Sequence, residues 1–328
     1  MNPIFFLVAM VLLANSSWIQ ALGILLCMVV LFAVNLIWSQ ESMLYVPCVM
    51  PGMQRPSDNP AGYKSPAEKN LAFEDVNLTT ADGLRIHGWF IPFSSSASTA
   101  PTLLFCHENA GNIGLRIPNF ERMREKLGVN ILAIDYRGYG CSEGFPSEEG
   151  LIEDALCAWK WLQAKAERKE IDGDKIFVFG RSLGGAVAIA LASTLQQRDE
   201  RGPCGMILEN TFLSIGDMVD TLFPIIAFKC LKDRFLRLRW HSIERVRSVE
   251  VPLLFLCGEK DEVVPPDHMV RLEKSAVRSR SHRLVLFPEG QHNDTWEKGG
   301  AQYWEVQAAF LAECWPPSAT PGGAEAAT

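Results

Sequence analysis

Short apolar runs separated by longer mixed stretches dominate the middle of this 328-residue chain. Helical stretches lie between these runs, the clearest being 148–168, which Ser147 can cap. Earlier in the chain, 76–80 and 84–90 alternate around Ala81-Asp82-Gly83 and predict an antiparallel hairpin. The succession of apolar runs and helical stretches along the chain predicts an α/β domain with a mostly parallel central sheet flanked by helices. The apolar runs, rich in β-branched and aromatic side chains as buried strands are, cover 102–106, 175–179, 205–208, 251–258 and 282–288.

A different pattern occupies the N-terminus, where residues 3–38 contain no charged side chain. Residues 18–38 are long enough to cross a bilayer once and have tryptophan at each end. Residues 3–13 are too short to span alone, and could extend the helix, lie in the interface or form a re-entrant hairpin. A cleaved signal peptide is disfavoured, because there is no basic n-region and the apolar run is too long. We therefore predict that residues 1–39 are a retained anchor and that the chain is a single-pass membrane protein.

The remaining segments complete a domain map. Residues 40–70, which contain five prolines, predict an extended linker with an inner packing segment, and residues 71–315 predict one domain with a sizeable core. Residues 211–250 lie between two strands and predict a short cap. Its apolar run, 222–228, precedes seven Lys and Arg residues, which fits either an acyl substrate presented at an anionic membrane or a packed lid helix with a solvated basic face. The small, Pro- and Gly-rich residues 316–328 predict a disordered tail.

Charge and cysteine usage exclude several classes of protein. The formal net charge is −7 and no basic tail is present, so nucleic acid is not an expected partner. The nine cysteines have no regular spacing, and Cys106 and Cys257 fall in predicted strands, which favours buried free thiols over disulfides or metal ligands. No glycine-rich phosphate loop occurs. We expect no cofactor and no metal.

The strongest chemical signal is Ser182, in the run Gly180-Arg181-Ser182-Leu183-Gly184. A predicted strand ends at this run and a small-residue helical stretch begins directly after it. Glycine on both sides of a serine lets a strand and a helix approach closely, which holds the serine in a strained turn with its hydroxyl exposed. The pattern predicts a nucleophile rather than an ordinary tight turn.

A nucleophilic serine needs a base and an acid that orients the base. In α/β-hydrolases these follow the serine in the order Asp or Glu, then His. Asp261 falls in the loop after strand 251–258, and His292 in the loop after strand 282–288, where open α/β sheets bind ligands. Glu209, at a strand end, and Asp267, which resembles a helix N-cap, are the alternatives for the acid.

Two backbone amides are candidates for an oxyanion hole. One is that of Leu183, the residue after the nucleophile, at a helix N-terminus. The other belongs to the loop after strand 102–106, which reads His107-Glu108-Asn109-Ala110-Gly111-Asn112. We choose Asn109 as this second donor.

These motifs, together with 135–144, 209–215 and 292–296, resemble one family. It is the membrane-anchored α/β-hydrolase domain-containing proteins, the group around alpha/beta hydrolase domain-containing protein 13 and its fungal bud-emergence relatives. The resemblance covers residues 40–313. It implies a Ser182–His292–Asp261 triad, an oxyanion hole at Asn109 and Leu183, and a serine esterase. Related members resemble palmitoyl-protein thioesterases, which makes an acyl ester or thioester, including an acylated protein, the implied substrate.

One residue departs from the family pattern. The family has glycine where this chain has Glu108. Glycine permits a backbone that glutamate resists, and a carboxylate directed inward would oppose a developing oxyanion. Alternatively, Glu108 faces solvent. The substitution bears on the rate of the reaction more than on its class.

Three functions are therefore compared: an ester or thioester hydrolase, a serine peptidase of the same fold, and a catalytically weak membrane scaffold. The intact triad pattern argues against the scaffold, and the short cap argues against selective peptide trimming. The side of the membrane is not determined by charge, since the first basic residues are Arg55 and Lys64. The family is drawn with its catalytic domain beyond the membrane, and the sequon at Asn77 would be used only there.

Overall fold

A computed structural model of the chain describes residues 17–222 and 234–315. Its centre is an eight-stranded sheet in the order β1-β2-β4-β3-β5-β6-β7-β8. The hairpin β1–β2 is antiparallel, β2 pairs antiparallel with β4, and every other neighbouring pair is parallel. The strands are β1 (Glu74–Thr79), β2 (Arg85–Ile91), β3 (Thr102–Cys106), β4 (Asn130–Ile134), β5 (Ile176–Arg181), β6 (Met206–Glu209), β7 (Leu253–Gly258) and β8 (His282–Phe287). The predicted mostly parallel sheet is confirmed.

Helices cover both faces of the sheet, because each parallel crossover must pass over one face. The helices of the domain are α3 (Ile117–Leu127), α4 (Glu148–Glu167), α5 (Leu183–Gln197), α6 (Ile215–Leu222), α7 (Ser242–Arg245), α8 (Pro266–Ser275), α9 (Thr295–Lys298) and α10 (Gly300–Cys314). Residues of α4, α5 and α8 share one buried cluster with Leu104 and Val178, whereas α3 and α10 share the other with Phe105 and Phe179. Alternate residues of each central strand therefore serve opposite cores.

The N-terminal apolar stretch forms a long exposed helix, α1 (Trp18–Trp38), followed by the short α2 (Gln40–Leu44). Ser17 caps α1, and no α1 residue is buried against the domain. The helix has a mean hydropathy of 2.6 over its most apolar window, and its length and composition suit one membrane crossing. Residues 1–16, including the 3–13 stretch, lie outside the described residues.

The Pro-rich segment 40–70 lies against the domain. Tyr45 is 2% exposed, and Val46 forms an isolated parallel bridge with Ala110. Two short 3₁₀ turns follow, Pro56–Asp58 and Pro66–Lys69, each opening on a buried proline. The segment thus joins α1 to the domain through packed contacts.

The region predicted as a cap, 211–250, follows β6. Its first part is α6, and residues 234–240, here called the return segment, lead back to α7 and β7. Glu148 of α4 accepts backbone hydrogen bonds from Arg239 (2.9 Å) and Trp240 (2.7 Å), which fixes the end of the return segment. Most of the predicted apolar run, 223–228, with Lys229 and Lys232, lies outside the described residues, as does the predicted tail 316–328.

Candidate active site

Ser182 stands at the junction of β5 and α5 in a strained backbone conformation. Its φ is 53° and its ψ is −121°, a combination that side-chain-bearing residues rarely adopt. Neighbouring groups hold it there. The Ser182 amide donates to the Glu209 carbonyl (2.9 Å), and the Thr211 hydroxyl donates to the Ser182 carbonyl (2.7 Å). These two hydrogen bonds therefore hold the backbone of the turn that carries the hydroxyl.

The two glycines of the motif are required by close backbone approach. A Cβ on Gly180 would lie 2.3 Å from the Gly184 carbonyl oxygen, and one on Gly184 would lie 2.0 Å from the Cys106 carbonyl oxygen. Both distances are far below contact, and the obstructing atoms are backbone. The start of α5 can therefore lie against β3 and β5 only with glycine at these positions.

Three of the predicted site residues come together at the carboxyl ends of the strands. His292 Nε2 lies 3.0 Å from Ser182 Oγ, and His292 Nδ1 lies 2.8 Å from Asp261 Oδ2. The other carboxylate oxygen of Asp261 accepts from the amides of Val263 (2.9 Å) and Val264 (2.8 Å). The Asp261 side chain is 1% exposed and that of His292 is 7% exposed. This is the geometry in which an acid orients an imidazole toward a nucleophilic hydroxyl.

The two alternative residues for the acid lie in other networks. Glu209 accepts from Arg181 Nε and from the Tyr303 hydroxyl, both at 2.9 Å. Asp267 lies on the first turn of α8 beside Arg271, with an exposed side chain.

His107, the first residue of the oxyanion loop, is fully buried, and its Nδ1 lies 2.7 Å from the Glu108 carbonyl oxygen. Burial, reinforced by Arg116, lowers the pKa of His107 to about 4.

Asn210 has a structural role that the motif did not reveal. Its side-chain amide donates to the carbonyls of Gln291 (3.0 Å) and His292 (3.1 Å) and to the Thr295 hydroxyl (3.0 Å). Its side-chain oxygen accepts from the Gly258 amide (2.9 Å). One buried residue thus ties the ends of β6 and β7 to the loop that carries His292. Its place directly after a strand, in 209–215, was the available signal.

The two candidate oxyanion donors come from different elements, the start of α5 and the loop after β3. Leu183 is the first residue of α5, and the first amides of a helix have no intrahelical acceptor and carry the positive end of its dipole. Asn109 lies in the loop after β3, and its backbone amide has no hydrogen-bond acceptor among the described residues. The Asn109 side-chain oxygen accepts from the Val46 amide (3.3 Å) and the Tyr139 hydroxyl (3.2 Å).

Glu108 points into the protein, so the solvent-facing alternative is wrong. It is 8% exposed, and its carboxylate lies 3.0 Å from Arg116 Nε and 3.6 Å from Arg181 Nη1. Burial alone would raise the pKa of Glu108, but the two guanidinium groups hold it below its ordinary value. The carboxylate is therefore charged and paired. It extends a buried chain of charges, Arg116–Glu108–Arg181–Glu209, that ends beside the nucleophile.

Among the described residues, no group of three His, Cys, Asp or Glu side chains lies close enough together to hold a metal ion. The arrangement instead supplies a serine hydroxyl, an imidazole, a carboxylate and two amide donors. These are the groups that acyl transfer through a covalent serine intermediate requires.

Sequence comparisons identify relatives along most of the chain. A family model with the α/β-hydrolase fold matches residues 111–221. The α/β-hydrolase domain-containing protein WAV2 of Arabidopsis thaliana is 41% identical, over 84% of this chain and 89% of its own. Protein bem46 of Schizosaccharomyces pombe is 38% identical, over 87% and 90%. The membrane protein YNL320W of Saccharomyces cerevisiae is 37% identical, over 76% and 83%.

Solved structures show the same fold. The Pyrococcus furiosus esterase Pf2001 superposes with a TM-score of 0.61 at 20% identity, covering 76% of this chain and 95% of its own. At that identity the similarity concerns the fold alone.

If Asp261 orients His292, Asp261→Asn should lower kcat by about 10⁴ with little change in substrate binding, because the imidazole would adopt the wrong tautomer. Steady-state kinetics of the purified full-length protein would measure this. Asp267→Asn is the matched control, since its exposed side chain lies outside the hydrogen bonds of His292. A near-normal rate in Asp261→Asn would move the orienting role elsewhere.

Glu108→Gly should destabilise the fold by about 3 kcal/mol, because it removes the carboxylate that Arg116 and Arg181 share, while Arg181 keeps its pair with Glu209. Glu108→Gln should cost less, since it keeps the side chain that packs there. Denaturant unfolding of the full-length protein in detergent measures both. Glu289→Gln, which breaks only the exposed pair with Lys260, should change stability little. A Glu108→Gly variant as stable as the wild type would show that the ion pairs contribute nothing.

Proposed function

The chain belongs to the α/β-hydrolase domain-containing family that includes WAV2 and bem46, and we propose that it is a membrane-anchored serine hydrolase cleaving acyl esters or thioesters. The observation that carries this proposal is the pair of hydrogen bonds that link Ser182 to His292 (3.0 Å) and His292 to Asp261 (2.8 Å). The family supplies the reaction class, and the geometry supports the assignment of roles within it.

In the proposed first half-reaction, Ser182 Oγ attacks the acyl carbonyl while His292 Nε2 accepts the hydroxyl proton. The new C–O bond forms as the carbonyl electrons move onto oxygen. The amides of Leu183 and Asn109 donate hydrogen bonds to that oxyanion, with the α5 N-terminus adding a favourable field. Collapse of the intermediate breaks the bond to the leaving oxygen or sulfur, which takes the proton from His292.

In the second half-reaction, water attacks the acyl-enzyme. His292 accepts a proton from the water as the new C–O bond forms, and Asp261 stabilises the resulting imidazolium. Collapse breaks the bond between the acyl group and Ser182 Oγ, which recovers the proton. The products are a carboxylic acid and the alcohol or thiol released earlier. On the protein side, these proton transfers use only Ser182 and His292.

The proposed substrate carries a long acyl chain, such as an S-acylated protein. One observation supports this choice. Helix α1 is long and apolar enough to hold the domain at a bilayer, where long acyl chains concentrate. We propose a single membrane crossing at Trp18–Trp38 and the lipid bilayer as the standing partner of the protein.

Ser182→Ala should abolish covalent labelling by a fluorophosphonate probe without changing the unfolding transition, because only a hydroxyl is removed. Gel fluorescence of membranes containing the full-length protein measures the labelling. Competition then identifies the substrate class: palmitoyl thioesters and esters should block the probe, and peptide amides should not. Blocking by peptides alone would indicate a peptidase. Full labelling of Ser182→Ala would refute the assignment of the nucleophile.

Deleting residues 1–38 should release the domain from membranes, since it removes α1 and retains Gln40 and the packed segment after it. Hydrolysis of a short water-soluble ester should remain near the full-length value. Hydrolysis of a membrane-embedded acyl thioester should fall by at least tenfold, through lost effective concentration. Sedimentation with both assays tests this. Retention of the truncated protein in the membrane pellet would contradict the assignment of α1 as the anchor.

A further inference from the structure

The end of the candidate membrane helix is bound to the return segment. Arg237 donates from Nη2 to the Trp38 carbonyl (3.2 Å), and the same nitrogen lies 2.7 Å from Glu41 Oε2. Arg237 is about half exposed, so this junction lies at the surface of the domain. It joins the last turn of α1 to a segment that leads directly into the core.

Gln40 makes the same connection with its side-chain amide. Its Nε2 donates to the Phe235 carbonyl and its Oε1 accepts from the Arg237 amide, both at 2.8 Å. This is a two-point contact with one short stretch of backbone, 235–237, which fixes direction as well as distance. Together with Arg237, it sets the position of α2 on the domain.

The next residues pass into the domain beside the candidate oxyanion loop. The Tyr45 hydroxyl accepts from Trp240 Nε1 (3.1 Å), and both side chains are buried. Val46 then pairs with the loop: its carbonyl accepts from the Gly111 amide (2.9 Å) and its amide donates to Asn109 Oδ1 (3.3 Å). The chain that leaves α1 therefore contacts, at Val46, the loop that carries the candidate oxyanion donor.

Asn109 Oδ1 is held from a second direction by the Tyr139 hydroxyl (3.2 Å). Tyr139 is fully buried and its ring packs edge-on against His107, at the start of the same loop. Because the side chain of Asn109 is fixed by these two donors, its backbone amide is fixed as well. A displacement of about 1 Å in such a group can change a rate by 10²-fold.

We propose that residues 39–46, here called the post-helix segment, are a positioning element of the active site. The segment holds the oxyanion loop through Val46, and it fixes the catalytic centre at a set height above the bilayer. This inference rests on the proposed function, and it narrows the substrate. The short α2 adds only about 7.5 Å along its axis, at 1.5 Å per residue over five residues.

The consequence is a catalytic centre close to the lipid headgroups. An acyl carbonyl near the surface of the same membrane reaches Ser182, with the chain still in the bilayer. A carbonyl carried far above the surface, or one in solution, gains nothing from the anchor. The substrate class is thus a membrane-resident acyl ester or thioester whose scissile bond lies at headgroup level.

The two hydrogen bonds that hold Asn109 Oδ1, from the Val46 amide and the Tyr139 hydroxyl, are here called the clamp. The clamp is tested in the full-length chain in detergent, with a short soluble ester. Asn109→Ala keeps the backbone amide and removes the oxygen that Val46 and Tyr139 bind, so kcat should fall roughly 10- to 100-fold at unchanged KM. Tyr139→Phe removes one of the two hydrogen bonds, and kcat should fall roughly three- to tenfold. Tyr63→Phe, an exposed tyrosine whose hydroxyl makes no hydrogen bond among the described residues, is the matched control and should leave both constants unchanged.

The set height is tested by inserting a flexible Gly-Ser segment of about ten residues between Trp38 and Ser39. Such a segment spans roughly 17–19 Å on average, and it leaves residues 40–46 in place. In vesicles, hydrolysis of an embedded palmitoyl thioester should fall at least tenfold, while hydrolysis of the soluble ester stays at the wild-type rate. The same insertion in the exposed loop after Asp199 should change neither rate.

The outcomes separate this inference from the proposed function. Fluorophosphonate labelling that survives Ser182→Ala would overturn the function itself. Labelling that requires Ser182, together with wild-type kcat in Asn109→Ala and Tyr139→Phe, would overturn the clamp alone. If the variant with the Gly-Ser segment between Trp38 and Ser39 hydrolyses the embedded thioester at the wild-type rate, the claim that the catalytic centre lies at a set height above the bilayer is wrong.

Discussion

The strained backbone of Ser182 is the constraint around which the site is built. A residue with a side chain at φ 53° and ψ −121° stores about 1–3 kcal/mol of strain, so its neighbours must hold it there. The Glu209 carbonyl and the Thr211 hydroxyl bind its backbone, while Gly180 and Gly184 admit the close contact between strand and helix. Because β3, β5 and β6 meet at this turn, the contacts that hold the strands together also hold the reactive geometry of Ser182.

Buried charged side chains beside the turn help to hold the same geometry. Arg181 precedes the nucleophile, is 2% exposed, and binds Glu209 on the neighbouring strand. Although burial opposes it, the carboxylates of Glu209 and Glu108 raise the pKa of Arg181, so the guanidinium stays charged. Glu108, a residue of the oxyanion loop, links this pair to Arg116. A residue that looks unfavourable in the motif therefore pairs with two cations, and its charge does not face the reaction unpaired.

The features that depend on local chain geometry could be predicted from the sequence. The strand–turn–helix signal around Ser182 and the loop positions of Asp261 and His292 were predictable, because parallel strands bring their carboxyl ends to one edge. The catalytic roles themselves remain proposals. The partners of Glu108 and the fourfold contact of Asn210 were not predictable, since they depend on side chains meeting across segments far apart in sequence. The pairing of residues 39–46 with the oxyanion loop was missed for the same reason.

The central claim is that acyl transfer passes through Ser182, and trapping the acyl-enzyme tests it most directly. Full-length protein in vesicles would be mixed with a palmitoyl thioester, quenched in acid within milliseconds to seconds, and digested for mass spectrometry. The account predicts a burst of free thiol and a palmitoyl adduct on the peptide containing Ser182, decaying as free palmitate appears. Thiol release with no adduct, or an adduct confined to another residue such as the exposed Cys141, would contradict it.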